Sequence, residues 1–306
     1  MTAAGELVCE DLTKSYGTKK LALRSVSFAV PTRGIFTLIG RNGAGKSTLT
    51  RILATLLEPT SGSARIDGLD VMADARKLRQ RIAVVPQEGR AVAWISPLQT
   101  VSTYLLWRGY GYGESRRKAL EALSSVGLEK QANRLNRTLS GGMKRKVLVA
   151  MVLASEADVI FLDEPSTGLD PISRRELWDL LVTLGKERFV FLTTHYLEEA
   201  EQLSDRIGIL EDGRLLSIGT LDELRAEMKY GFSLVLPGED AATAQFVGEK
   251  YTRRDGMTQI FTTEDQALAL AKRLADQRVR FSLNPVTLDD VFNFVIAKDK
   301  VEGGAG

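Results

Sequence analysis

A chain of 306 residues, 44% hydrophobic and 26% charged, has the ordinary composition of a globular protein of about two domains. Its net charge of +2 gives no concentrated basic stripe, so no nucleic-acid partner is expected. The longest aliphatic run, 147–154, is eight residues, against the ~20 that a spanning helix needs.

The N-terminal segment carries Glu6, Glu10 and Asp11 and does not read as a secretory signal. A single cysteine, Cys9, excludes an intrachain disulfide and fits a reducing compartment. The expectation is a cytoplasmic chain whose membrane role, if any, comes through a partner.

Residues 6–34 alternate in short β-like stretches, with Val26, Phe28 and Val30 on one face. An apolar run at 35–39 ends at Gly40 and feeds a glycine-rich loop, and 61–68 reads as a strand and turn. A second apolar run, 82–85, precedes Gln87. From 88 to 139 the pattern is helical, irregular and rich in aromatics, and 148–154 continues a helix. The runs 159–162 and 189–192 end in Asp163-Glu164 and in Thr193-Thr194-His195. Runs apolar along their whole length, separated by helical segments, predict a parallel sheet buried on both faces. Residues 207–210 and 214–218 flank Asp212-Gly213 as a hairpin.

The remaining segment reads differently. Strands are predicted at 232–236, 251–254, 257–262 and 279–283, with a turn at Asp255-Gly256. Helices are predicted at 240–249, at 264–277 behind a Thr263/Gln266 capping box, and from Thr287/Asp290 through Ala297. The order β-α-β-β-α-β suggests a small ferredoxin-like module.

Each of the four apolar runs ends in a polar or phosphate-binding residue, and in open α/β sheets ligands bind beyond the carboxyl ends of the strands. Gly40-Arg41-Asn42-Gly43-Ala44-Gly45-Lys46-Ser47-Thr48 matches G-x-x-x-x-G-K-[ST], a loop whose backbone N–H groups cradle phosphates. Lys46 is placed to reach the β and γ phosphates of ATP, and Ser47 to ligate Mg²⁺. Asp163 ends a buried strand and would hold the Mg²⁺ shell, while Glu164 would polarise the attacking water. Alone, two carboxylates could equally mark a solvated strand end.

Ser140 of Leu139-Ser140-Gly141-Gly142-Met143 can cap a helix running to Ala154. Lys144, Arg145 and Lys146 then fall in its first turns, where the helix dipole disfavours cations. They mark either an anion site or a solvated basic face.

In that order, the phosphate loop, residues 139–143 and residues 159–164 resemble the nucleotide-binding domain of the ABC family over about residues 6–225. Met143 stands where the family usually has glutamine. The resemblance implies an α/β P-loop NTPase of ABC type: a RecA-like parallel sheet core, an antiparallel β subdomain, and a helical subdomain at about 88–155. The domain would span 1–225, followed by a C-terminal α+β module at 226–306.

Further site residues follow from the resemblance. Tyr16 would stack on adenine, unless it is a buried strand tyrosine. Gln87 would join the Mg²⁺ and water shell, and Asp170 of Ser166-Thr167-Gly168-Leu169-Asp170 would lie across a dimer interface, although alone it could begin a turn. His195, the single histidine of the chain, would sense the γ-phosphate rather than serve as a structural residue.

The family's arrangement is an ATP-dependent head-to-tail homodimer. Each nucleotide lies between one phosphate loop and the partner's Ser140, Gly141 and Gly142, beside a transmembrane permease subunit at the inner face of the membrane. Thr287-Leu288-Asp289-Asp290-Val291-Phe292 resembles the closing segment of multidrug-, lipid- and polysaccharide-export ATPases, which favours export. Trp94, Trp107, Tyr104, Tyr110 and Tyr112 could dock the permease or fill a helical core. The competing function is a soluble ABC ATPase with no membrane partner, of the iron–sulfur assembly type.

Overall fold

The computed structural model describes residues 5–17, 20–237, 251–254 and 256–303. It divides into two compact units, Met1–Leu216 and Ser217–Gly306.

In the first unit, β1 (Glu6–Tyr16), β2 (Lys20–Pro31), β4 (Ser61–Ile66) and β5 (Leu69–Asp70) form an antiparallel sheet in the order β2-β1-β4-β5. The second sheet contains β3 (Ile35–Ile39), β6 (Ile82–Val85), β7 (Val159–Asp163), β8 (Phe189–Thr194), β9 (Arg206–Glu211) and β10 (Arg214–Gly219). Its order is β10-β9-β3-β8-β7-β6, and β9, β3, β8, β7 and β6 run parallel. Every residue of β3, β7 and β8 is buried, which is why those runs are apolar without alternation.

Helix α1 (Lys46–Leu53) packs on β7 and β8, α2 (Ala75–Arg81) on β6, α6 (Pro171–Gly185) on β8, and α7 (Leu197–Leu203) on β3 and β8. By contrast β2 alternates, burying Val26, Phe28 and Val30. Phe28 stacks on Phe36 at 5.8 Å, Phe36 meets Phe191 at 5.3 Å, and Phe191 meets Phe161 at 5.5 Å. This row of rings joins the two sheets, and each buried ring is worth about 1.5–3 kcal/mol.

The helical layer comprises α3 (Pro97–Trp107), α4 (Tyr112–Ser125) and α5 (Gly141–Ala154), packed on one another through Leu105, Ala119, Leu123, Val147 and Ala150. A full capping box of Ser96 and Gln99 starts α3. The aromatics expected in this region divide. Tyr104 and Tyr110 pack on the core, whereas Trp94, Trp107 and Tyr112 are 77%, 84% and 74% exposed.

In the second unit, α8 (Leu221–Glu227) precedes β11 (Phe232–Pro237), β12 (Tyr251–Arg254), β13 (Met257–Thr262), α9 (Glu264–Asp276), β14 (Ser282–Pro285) and α10 (Leu288–Gly303). The sheet order is β12-β13-β11-β14, with every neighbouring pair antiparallel. Leu234, Leu236, Ile260 and Leu274 form its core.

The sequence expectations are corrected in two places here. Thr263 caps no N–H at the start of α9, because Gln266 instead accepts from the hydroxyl of buried Thr262. The final strand starts three residues later than position 279. The chain leaves α9 through Arg278 at φ 58, and Val279 and Phe281 pack on the core as loop residues. Thr287 and Asp290 do cap α10 reciprocally, at 2.9 and 3.3 Å. The helix expected at 240–249 and Asp255 of the expected turn lie outside the described residues.

Candidate active site

The carboxyl ends of β3, β6, β7 and β8 lie side by side, and the chain that follows each supplies one part of a cleft. After β3 the loop turns through Gly43 (φ 86) and Gly45 (φ 110) into α1. At Gly45 a Cβ would lie 2.4 Å from the carbonyl of Ala22, so both the left-handed backbone and the close approach require glycine. The first-turn N–H groups of α1, from Lys46 to Thr48, have no acceptor within the helix. No side chain caps this terminus and no acid stands in its first turn. Such a terminus presents donors and a positive dipole end that suit an anion.

Tyr16, Ala22, Asn42, Gly43, Gly45, Lys46, Ser47, Thr48, Gln87 and Glu164 line a cavity of about 280 Å³ over this terminus. Tyr16 is therefore no buried strand tyrosine: it is 44% exposed at the cleft, with Lys14 Nζ 5.6 Å from its ring.

Lys46 is buried. Its ammonium donates to the carbonyls of Gly40 (2.8 Å) and Arg41 (3.2 Å) and pairs with Glu164 Oε1 at 3.2 Å. Ser47 Oγ donates to Asp163 Oδ1 at 3.1 Å, and Thr193 Oγ1 donates to the same oxygen at 2.6 Å. A serine hydroxyl and a strand-end carboxylate in contact, beside a phosphate cradle, are the hard oxygen donors that suit Mg²⁺.

Glu164 has φ 48, a left-handed conformation that is uncommon for a residue with a side chain. Its N–H donates to the carbonyl and hydroxyl of Thr193, which hold that backbone. Its Oε2 accepts from Gln87 Nε2 (3.1 Å) and Thr167 Oγ1 (3.2 Å) and meets His195 Nδ1 at 3.1 Å. The structure thus brings Lys46, Gln87 and His195 onto the carboxylate of Glu164.

Ser140 caps α5 by accepting from Met143 N–H at 3.2 Å. Gly141 lines a second hollow of about 510 Å³ with Arg90, Arg137, Lys144 and Thr167, among others, and the two hollows share Gln87. No phosphate-loop residue lines that hollow, among the described residues. A Cβ at Gly142 would lie 2.6 Å from Ser173 Oγ and 3.0 Å from Ser173 Cβ, so α5 packs closely on α6 there. Asp170 caps α6, accepting from Ile172 and Ser173 N–H and the Ser173 hydroxyl. The bonds from Ser173 are the main cause that lowers its carboxyl.

The three basic residues that follow the signature do not form one anion site or one solvated face. Lys146 pairs with Glu176 at 2.9 Å. Arg145 is buried and turns inward to the backbone around Glu164.

Sequence reasoning also missed Thr193, Thr167 and Glu199. For Thr193 a signal was available, since a polar pair ending an apolar strand beside Asp163 is unusual. Glu199 is fully buried, accepts from Trp178 Nε1 at 3.0 Å, and has its carboxyl pushed up chiefly by burial.

The family described as ABC transporter matches residues 23–167. The daunorubicin/doxorubicin resistance ATP-binding protein DrrA of Streptomyces peucetius is 36% identical over 92% of this chain and 89% of its own length. The doxorubicin resistance ATP-binding protein DrrA of Mycobacterium tuberculosis is 39% identical over 76% of this chain and 70% of its own. Among solved structures, the ATP-binding cassette MJ0796, dimeric in a post-hydrolysis state with ADP and Pi, superposes with a TM-score of 0.65. It is 28% identical, over 70% of this chain and 98% of that one. By the family match and by its likeness to these ATP-binding proteins, the chain belongs to the ABC transporter family as one of its ATP-binding, ATP-hydrolysing proteins.

Proposed function

We propose that this ATPase works as a head-to-tail dimer that powers export through a separate transmembrane subunit. One observation carries the reading: Gly141, next to the capping Ser140, opens onto a hollow that no phosphate-loop residue lines, among the described residues. Each chain then holds two half-sites, and a two-fold interface uses each once. Ser140, Gly141 and Gly142 complete the site over the partner's ATP, and Asp170 lies across the interface.

Within a site, Tyr16 stacks on adenine and the loop from Gly40 to Thr48 cradles the phosphates, with Lys46 on the β and γ groups. Ser47, Asp163 and Gln87 would hold Mg²⁺, which would supply neutralisation of charge on the phosphate oxygens. Glu164 orients the attacking water. His195, bonded to the same carboxylate oxygen, reads the γ-phosphate.

Export follows from the drug-resistance names of the relatives and from the capped segment Thr287–Phe292. Among the described residues no helix is long and apolar enough to cross a membrane; a separate transmembrane subunit would supply the pathway. The exposed Trp94, Trp107 and Tyr112 are candidate contacts for it, with the ATPase at the cytoplasmic face of the membrane. The division of labour is a nucleotide-binding domain and an accessory module, expected at 1–225 and 226–306, although the compact units divide after Leu216 and α8 goes with the second. The module's strand order β12-β13-β11-β14 is that of a split β-α-β, ferredoxin-like fold.

Complementation tests the shared site. Ser140→Arg and Lys46→Ala homodimers are each expected to be inactive, since both of their composite sites lack one half. A mixed dimer gathers both lesions in one site and leaves the other intact. ATPase activity should return to up to about half the wild-type value per dimer if the sites act independently. Activity in the Ser140→Arg protein alone, equal to wild type, would remove Ser140 from the site.

A further inference from the structure

The basic residue two places after Met143 does something the composite-site reading leaves unassigned. Arg145 lies in the first turns of α5, yet only 9% of its surface is exposed. Its Nε donates to the carbonyl of Pro165 at 2.6 Å, and its Nη2 to those of Glu164 (2.9 Å) and Asp163 (3.3 Å). Three consecutive carbonyls thus converge on one guanidinium.

We propose that Arg145 is a positioning residue of the ATPase reaction, tying the Ser140-capped end of α5 to the backbone turn that aims Glu164.

Three features make the contact more than a core hydrogen bond. The turn leans on it: Glu164 sits at φ 48 and is followed by Pro165, which has no N–H to give, and within the turn the Glu164 carbonyl accepts a long bond of 3.3 Å from Thr167 N–H, against 2.9 Å from Arg145. The charge is costly: a guanidinium is taken out of water and set against three backbone carbonyls. An apolar core would not select a cation there, but three aligned carbonyl dipoles do. The location matters most. Ser140 caps α5 five residues earlier by accepting from Met143 N–H, so one short rigid helix segment carries both ends of the link. Under the head-to-tail reading, on which this inference rests, closure of α5 over the partner's ATP pulls on the turn that positions this chain's own Glu164.

The alternative is plain structural support, and kinetics separate the two. A group that only stabilises the fold lowers the amount of active protein and leaves kcat per folded molecule unchanged. A positioning group lowers kcat while the KM for ATP stays put, because the phosphate loop is untouched. An ångström of misplacement is worth about 10²-fold in rate.

The test uses the full chain with Arg145→Met, which keeps bulk and removes all donors. Arg145→Lys, which keeps the charge but cannot span three carbonyls, guards against misfolding of the first. Melting curves and direct ATP titration fix the folded fraction. Dimerisation by ATP is read in parallel in the Glu164→Gln protein. The expected result is kcat lowered about 10²-fold in Arg145→Met and about 10-fold in Arg145→Lys, with KM within about 3-fold of wild type and ATP cooperativity reduced in both. Wild-type kcat per folded molecule in Arg145→Lys, with dimerisation of the Glu164→Gln protein intact, overturns this proposal alone. Failure of ATP to dimerise the Glu164→Gln protein overturns the head-to-tail reading and this proposal with it.

Discussion

Replacing Glu164 by glutamine is expected to slow steady-state ATP hydrolysis by about 10²–10⁴-fold, the range for losing a positioned general base, while ATP still binds. The geometry explains the split. Glu164 lies at the end of β7 at φ 48, with its carboxylate in contact with Lys46, Gln87, Thr167 and His195. Glutamine keeps the size and the backbone bonds to Thr193 but cannot take a proton from water. The phosphate loop and the Ser47–Asp163 pair are unaltered, so nucleotide affinity is retained. With closure no longer ending in loss of the γ-phosphate, the ATP-bound dimer should accumulate, visible as a doubled mass in size-exclusion chromatography. Near-wild-type turnover in a coupled phosphate-release assay would show that Glu164 is not the carboxylate that matters.

Lys46→Ala should be more severe, abolishing hydrolysis and weakening nucleotide binding together. The ammonium is 4% exposed and is held by two loop carbonyls and Glu164 Oε1. It is thus poised at the mouth of the cradle at no further cost in ordering. A hydrogen bond from a charged group is worth about 1.5–3 kcal/mol, so ATP affinity should fall roughly 10–100-fold. Removing the lysine also leaves Glu164 buried without its cation, which is why the loss in rate should exceed the loss in affinity. Unchanged affinity in a direct binding titration would contradict the role given to Lys46.

The apolar runs and their polar ends were legible in the sequence because both have one physical cause. A strand covered on both faces must be apolar throughout, and chemistry can then sit only where the strand stops. That logic located β3, β6, β7 and β8 and the residues that follow them. The Asp212-Gly213 turn was legible because two successive positive φ angles, 46 and 79, admit few residue types.

What stayed hidden depends on where a side chain points. Arg145 reads as one of three like charges on a helix, and nothing in the order Lys144-Arg145-Lys146 says that the middle one turns inward. The exposure of Trp94 and Trp107 and the packing of Tyr104 and Tyr110 are likewise set by neighbours far along the chain. The capping box at Thr263 failed because the competing acceptor's partner, Thr262, is buried by the sheet, and local pattern cannot show that.

The central claim is that ATP is held between one chain's phosphate loop and the other's Ser140. Crosslinking tests it most directly, with Ser140→Cys on one chain and Asn42→Cys on the other, both in the Glu164→Gln background. Both positions are exposed, whereas native Cys9 is buried and its thiol is pushed up by that burial, which keeps it out of the chemistry. ATP should produce an interchain disulfide that is absent without nucleotide and is cleaved by reductant. Only intrachain crosslinks, or none, in the ATP-loaded protein would contradict the head-to-tail dimer.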